Sequence, residues 1–547
     1  MFSLYQKRLF GRILAQRLIL YFVLFCLVFS YFFWLTNSPS FPDPDSFYHA
    51  KIVEIIRDHG LIKEFHWLPL TTLDKVFIDH HLLYHLLLVP FSYSWSAIAV
   101  VKFAAIFLAA LAVVIFQWLL DRLKIRYSFI YTLILIFSDQ FVFRLNLAKV
   151  PSLSLVFILV ALYFIARDKR RFSLPLFILS FAYVWLYGGW PILFGIGFIY
   201  FIVSGVYQWL EGINRNKLNH SPFHLTSHLT RPKRTNGQNL RLLFLNIFSW
   251  SNLKLPLSIF SGLLAGLIIN PYFPKNLLFY WQQTFEIGLI NYKNIVAVGA
   301  EWYDLSIFDL IGHNIYTSIL FFISLLFFFI FIKRQSRLSW LLLFLSLIFF
   351  ILTLKSQRNI EYFIPLALVF SSLVFNSLSG VRKYLSIIYF RYRSLVIVLI
   401  SLLLLCLPVI FSYNFFSLRR SLTSGYNFTS LEGASLWLKQ NTPVGSIIFH
   451  DNWGSFPLLF YHNPNNSYVL GLDPTFMYFQ DKDRYLLWKN IINGKKRFGV
   501  CQLIKEQFNT SFVFIQKENK ALQPKLDLDH QCVKVYEDRD GRIYQIN

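Results

Sequence analysis

Carboxylates and an imidazole gather in one short stretch, Phe41-Pro42-Asp43-Pro44-Asp45-Ser46-Phe47-Tyr48-His49, just after the first long apolar run. In an extended segment side chains alternate in direction, so Asp43 and Asp45 share one side. Two carboxylates with a nearby imidazole suit two kinds of chemistry. They can hold a divalent cation such as Mg2+ or Mn2+, with Asp45, Asp43 and His49 as ligands, or they can take a proton from an acceptor. The same residues also suit a helix start, with Asp45 or Ser46 capping a helix over residues 47–58 and Asp43 facing solvent. Asp79-His80-His81 reads as a polar turn before an apolar helix. Adjacent histidines point in different directions on a helix and make poor joint ligands.

The chain that must position these residues has 547 residues, of which 56% are hydrophobic and 15% charged. Mean hydropathy is +0.50. This mix lies outside that of soluble domains and places most of the chain in lipid. The net charge of +24 does not point to nucleic acid, because the cations sit at the ends of apolar runs, as in Arg8, Arg12 and Arg17 or Arg167, Lys169, Arg170 and Arg171. That is the positive-inside pattern rather than a basic face on a soluble domain.

Apolar runs over residues 18–35, 97–120, 127–143, 150–165, a hairpin between 172 and 206 turning at Gly188-Gly189, then 255–269, 315–332, 341–354, 364–378 and 394–412 predict about eleven transmembrane helices. The first is expected to be an uncleaved span with the N-terminus cytoplasmic. Parity then puts the basic stretches 121–126, 167–171, 214–241, 333–337 and 382–393 inside. It leaves loops 36–93 and 270–309 outside, together with the tail.

Residues 1–413 thus read as a membrane domain of a multi-pass cell-membrane protein. Residues 414–547 read as an extracytoplasmic α/β domain, with strands expected at 445–449 and 511–515. Cys501 and Cys532 fall in this tail, where a disulfide is compatible with an outside location and its formation is left open. Cys26 and Cys406 read as small core residues.

Two short turns break the charge rule. The turn 144–149, with Arg144 and Lys149, and the turn 355–358, with Arg358, are basic yet fall outside. They read either as interfacial snorkelling or as a cationic clamp for an anionic leaving group.

Asp45-Ser46-Phe47-Tyr48-His49-Ala50-Lys51, placed after the first span and before an amphipathic helix, resembles the first-loop acidic motif of the oligosaccharyltransferase catalytic subunit. That subunit belongs to the GT-C superfamily of membrane glycosyltransferases. Val296-Ala297-Val298-Gly299-Ala300-Glu301-Trp302-Tyr303 looks like the outer loop whose glutamate holds the acceptor. Arg358, in Lys355-Ser356-Gln357-Arg358, resembles the outer arginine near the lipid phosphate. His450-Asp451-Asn452-Trp453-Gly454 is similar to the motif that reads the glycosylation sequon, although its two leading tryptophans are replaced. Where the family has its second acidic motif, Arg144 is followed by Lys149-Val150-Pro151-Ser152-Leu153, with no carboxylate unless Asp139 or Asp43 substitutes.

The resemblance implies a GT-C-like fold and a glycosyltransferase using a sugar or oligosaccharide on a polyprenyl phosphate or pyrophosphate. Its acceptor would be a protein, lipid or glycan on the extracytoplasmic face, with protein glycosylation as one form. Asp45 and Glu301 would be catalytic, and Arg144, Lys149 and Arg358 would bind the donor phosphate. Asp451, Asn452 and Trp453 would bind the acceptor. A divalent metal on the first-loop residues is one version of the mechanism, and the cationic clamp alone is the other. Two alternatives stand beside it: a GT-C monosaccharide transferase acting on a lipid or polysaccharide, and, in a different class, a transporter or lipid flippase.

Overall fold

The computed structural model describes residues 2–167, 170–218, 247–290, 292–378 and 393–547. Lys169 and most of the basic stretches 214–241 and 382–393 lie outside the described residues.

The apolar runs fold as helices. Helix α1 (Phe2–Thr36) leads into the first loop, which holds strand β1 (Ser40–Phe41), helix α2 (Asp45–His59) and helix α3 (Leu82–Leu88). Helix α4 (Ala97–Arg122) is built from Ala, Val, Ile and Leu, and starts at Ser96, whose Oγ accepts the Ala99 amide at 3.4 Å. Exposed apolar side chains such as Leu20 and Phe22 on α1, and Phe329 and Ile351 further on, present an outer surface suited to lipid.

The run over 127–143 is not one straight helix. It breaks into α5 (Ser128–Ile136) and α6 (Asp139–Leu145), bent by 77°. Ser138 is extended at the break and its Oγ donates back to the Ile134 carbonyl at 3.1 Å. Asp139, too polar for an apolar span, turns to His313 at 3.1 Å. As a result α6 ends with Arg144 buried. Helices α7 (Pro151–Arg167), α8 (Ser173–Leu186) and α9 (Pro191–Leu218) follow, then a helix at Trp250–Ile268.

The helix Ile307–His313 meets Ile315–Ile330 at 110°, and helices Arg337–Lys355, Ile360–Ser377 and Arg393–Thr423 complete the membrane part. Among the described residues, five helices are long and apolar enough to cross a membrane alone, and seven if each bent pair is one crossing. Helices α7, α8 and Asn252–Ile268 are apolar but shorter. Cys26 is exposed on α1 rather than in the core.

The last of these helices continues to Thr423, past the boundary at 413. Strand β2 (Tyr426–Asn427) then pairs antiparallel with β1, Ser40 opposite Asn427 and Phe41 opposite Tyr426. Gly425 permits this contact, since a Cβ there would lie 2.1 Å from the Phe41 carbonyl oxygen. The tail sheet comprises β3 (Ile447–His450), β4 (Ser467–Tyr468), β5 (Phe512–Gln516), β6 (Cys532–Glu537) and β7 (Gly541–Ile546). Its order is β4-β3-β5-β7-β6, with β3 parallel to both its neighbours and the last two pairings antiparallel. Both expected strands are present, shifted by one or two residues. Cys501 and Cys532 form a disulfide.

The tail is packed onto the first loop rather than hung from it. Trp67 Nε1 donates to the Pro464 carbonyl at 2.8 Å, and the Tyr468 amide donates to the Trp67 carbonyl at 2.8 Å. The Phe47 ring meets Tyr461 edge-on. The Glu301 loop joins the same unit, for Val296 and Val298 are buried in the tail core and the Ala297 amide donates to Tyr485 Oη at 3.1 Å. Loops separated by hundreds of residues are thereby fixed above one end of the helix bundle.

Candidate active site

Asp43 and Asp45 are set by the start of α2. The Asp45 amide donates to Asp43 Oδ1 at 2.9 Å, so Asp43 closes the turn. Pro44 precedes the helix and no side chain caps it; Ser46 Oγ is buried without a partner. Asp45, in the first helical turn, keeps its carboxylate for other contacts. That contact is Lys149: its Nζ lies 2.9 Å from Asp43 Oδ2 and 2.7 Å from Asp45 Oδ2. Burial, then the neighbouring Asp45 and Glu301 charges, push Asp43 up to about 6 despite Lys149. Burial pulls Lys149 down, but Asp43 and Asp45 outweigh it and hold the ammonium above its ordinary value.

A second cluster is centred on Glu301. The turn Gly299–Trp302 carries it, and Ser356 Oγ donates to its backbone carbonyl at 3.0 Å. Arg144 donates to Glu301 through Nη1 and lies 3.1 Å from Glu361 Oε2 through Nη2. Arg358 Nη1 stands 3.5 Å from Glu301 Oε1, its Nη2 donates to Tyr187 Oη at 3.1 Å, and its guanidinium lies 4.3 Å over the Trp302 ring. Burial would raise Glu301, yet Arg144, Arg358 and Lys149 outweigh it and hold the carboxyl well below its usual range.

Both clusters line one cavity of about 510 Å³. Asp45, Arg144, Lys149, Glu301 and Arg358 form its charged end, while Ile196, Ile199, Leu345, Ile348, Phe349 and Leu352 form an apolar wall along α9 and the helix Arg337–Lys355. The basic turns are thus not snorkelling into solvent. Each cation is held by carboxylates in a cavity.

Asp43, Asp45 and His49 do not form the three-ligand group expected from the sequence. His49 turns away to a chain of its own, its Nδ1 2.8 Å from His85 Nε2, while His85 Nδ1 lies 2.7 Å from Asp79 Oδ2. Among the described residues no three His, Cys, Asp or Glu side chains gather as metal ligands. The residues present do not fit a divalent ion at the first-loop carboxylates, because an ammonium already stands between them. Asp139 does not substitute either, being paired with His313.

The polar side chains of the tail motif have partners within the tail. Both Asp451 carboxylate oxygens accept the Gln516 amide at 3.2 Å. Asn452 Oδ1 accepts the Gly454 amide at 2.9 Å, and its Nδ2 donates to Gln516 Oε1 at 2.9 Å. These groups tie the loop after β3 to the end of β5, and neither they nor Trp453 line the cavity. Trp453 packs beside the Glu301 loop, 3.8 Å from where a Cβ on Gly299 would sit.

Glu361, Tyr187 and the Asp79–His85 pair were not assigned roles from the sequence. The signal for Glu361 was a carboxylate opening an apolar helix three residues after Arg358, which is unusual in a span unless paired.

Comparison with solved structures gives the fold. The archaeal oligosaccharyltransferase AglB from Archaeoglobus fulgidus, solved with an inhibitory peptide and a dolichol-phosphate, superposes with a TM-score of 0.57 at 15% identity, over 91% of this chain and 69% of that one. The apo form of the Archaeoglobus fulgidus enzyme gives 0.58 at 15% identity with the same coverage. Its complex with Zn and sulfate gives 0.56 at 13% identity, over 93% and 70%. The chain shares the fold of these oligosaccharyltransferase structures. No family model and no curated protein matches the sequence. At this identity the likeness concerns the backbone arrangement alone.

Proposed function

We propose that this chain is a membrane glycosyltransferase that moves a sugar or oligosaccharide from a polyprenyl-phosphate or pyrophosphate carrier to an acceptor on the extracytoplasmic surface. The observation that carries this reading is a single cavity with a charged end and an apolar wall. An isoprenoid tail suits the wall, and an anionic phosphate suits the guanidinium end. The Cys501–Cys532 disulfide agrees with a tail outside the cytoplasm.

In the transfer, the bond from the sugar's anomeric carbon to the phosphate oxygen breaks, and its electron pair stays on that oxygen. The acceptor atom bonds to the same carbon and loses a proton. Arg358, loosely paired to Glu301 and stacked on Trp302, offers its remaining N–H groups to the leaving phosphate. Glu301, held strongly ionised, is a poor base and a good anchor for acceptor N–H or O–H groups. Asp45 is the carboxylate assigned to receive the proton.

With Asp451 and Asn452 engaged by Gln516 and Gly454, nothing in the tail motif favours a sequon over a glycan or lipid hydroxyl. The test uses the full chain in nanodiscs with a radiolabelled extract of lipid-linked sugars. The reading expects label to leave the donor and enter peptide, polysaccharide or a second lipid, with loss of transfer in Asp45→Ala. Label that stays on its donor and only crosses the bilayer would establish the flippase reading instead.

A further inference from the structure

We propose that the first-loop carboxylate pair is charge-balanced by the Lys149 ammonium in place of a divalent metal ion, so that this site operates without one. The inference rests on the glycosyltransferase reading for its meaning, but on geometry for its content.

Three observations on independent parts of the chain carry it. Lys149 Nζ touches both Asp43 and Asp45, at 2.9 and 2.7 Å, so the oxygens nearest a shared ion are already engaged. Lys149 is fixed where the turn after α6 meets Pro151, the first residue of α7, and its side chain is 13% exposed. His49, the third ligand the sequence offered, spends its Nδ1 on the His85–Asp79 chain.

Inserting a dication would place it against an ammonium in a poorly solvated pocket, or require that ammonium to leave its two partners buried. Lysine delivers one fixed positive charge with three donors, and two of them have acceptors here. It can orient the pair. Unlike a metal it has no open coordination position, so contacts to the leaving phosphate fall to Arg358 and Arg144.

The experiment is a Mn2+ titration of the detergent-solubilised full chain, followed by electron paramagnetic resonance of free Mn2+ and by thermal unfolding, without sugar donor. The wild type is expected to bind no Mn2+ at the carboxylate pair and to show no Mn2+-dependent shift in Tm. Lys149→Asp removes the ammonium and supplies a third carboxylate, and is expected to gain Mn2+ binding that the wild type lacks, with an Mn2+-dependent rise in Tm.

One equivalent of Mn2+ on the wild type that disappears in Asp45→Asn or Asp43→Asn would overturn the proposal. Mn2+ that persists in both variants lies elsewhere and leaves it standing. Should Lys149→Asp fail to fold, the wild-type titration with the two asparagine variants decides alone. Because no transfer is measured, a failed transfer assay would sink the functional reading and not this one. A metal bound at the pair would sink this one and leave transfer intact.

Discussion

Two polar motifs of this chain look alike on paper and behave oppositely in space. Asp43-Pro44-Asp45 and Asp451-Asn452 each follow an apolar segment and each carry short acidic or amide side chains. In the tail those side chains accept backbone amides from Gln516 and Gly454 and hold a loop in shape. In the first loop Asp43 makes one such bond, and both carboxylates then reach across the molecule to Lys149. Polar groups satisfied by backbone amides and a neutral amide side chain are architecture. Carboxylates that meet an ammonium from a distant helix at a cavity are the ones to which the proposed transfer assigns chemistry.

The contrast can be broken most severely at the acidic pair. Asp45→Asn is expected to lower transfer by about 100- to 10,000-fold, as removal of a positioned proton acceptor does, while Tm stays close to wild type. Asp451→Asn is expected to leave transfer per folded molecule within about 2-fold and to change stability by about 1 kcal/mol or less, as for one neutral hydrogen bond. Equal losses of transfer in the two variants would erase the distinction.

Arg144→Met tests the second cluster. It strands Glu361, which is buried and, among the described residues, ion-paired through Arg144, and is expected to cost about 3–5 kcal/mol of stability in denaturant unfolding. A loss under about 1 kcal/mol would mean that the pair is solvated.

The smallest effect is the pH dependence of Asp43. Its folded value near 6 lies above its ordinary one, so protonation on acidification favours the folded state. Asp43's contribution to stability is therefore present below its ordinary value and lost as pH rises through about 6. Transfer should move the other way, falling a few-fold below pH 6 as Asp43 releases Lys149. Asp43→Asn should flatten both trends in paired Tm and rate profiles.

Much of this architecture was legible in the sequence, because lipid imposes apolar runs and flanking cations that need no tertiary information. The tail strands and the singular status of residues 43–49, 144–149, 301 and 358 were legible for the same kind of reason. The break at Ser138 was not, since an apolar run looks continuous across a kink whose cause, the pull of Asp139 toward His313, lies 174 residues away. Nor could the sequence say that Lys149 would meet Asp45. That contact depends on α2 and the start of α7 being brought together, and the spacing of either motif is silent about it. Nor could resemblance of residue type say that Asp451 and Asn452 would bond to Gln516.

The account's central claim is that a lipid-linked donor seats its phosphate at the Arg144–Glu301–Arg358 end of the cavity with its tail along α9 and the helix Arg337–Lys355. The most direct test is photo-crosslinking of a polyprenyl phosphate carrying a photoreactive group near the phosphate, on the full chain in nanodiscs, with the labelled peptides mapped by mass spectrometry. The account predicts labelling of the segments around Tyr187 and Trp302, reduced at least several-fold in Arg358→Gln. Labelling confined to the outer lipid-facing surface and indifferent to Arg358→Gln would contradict it.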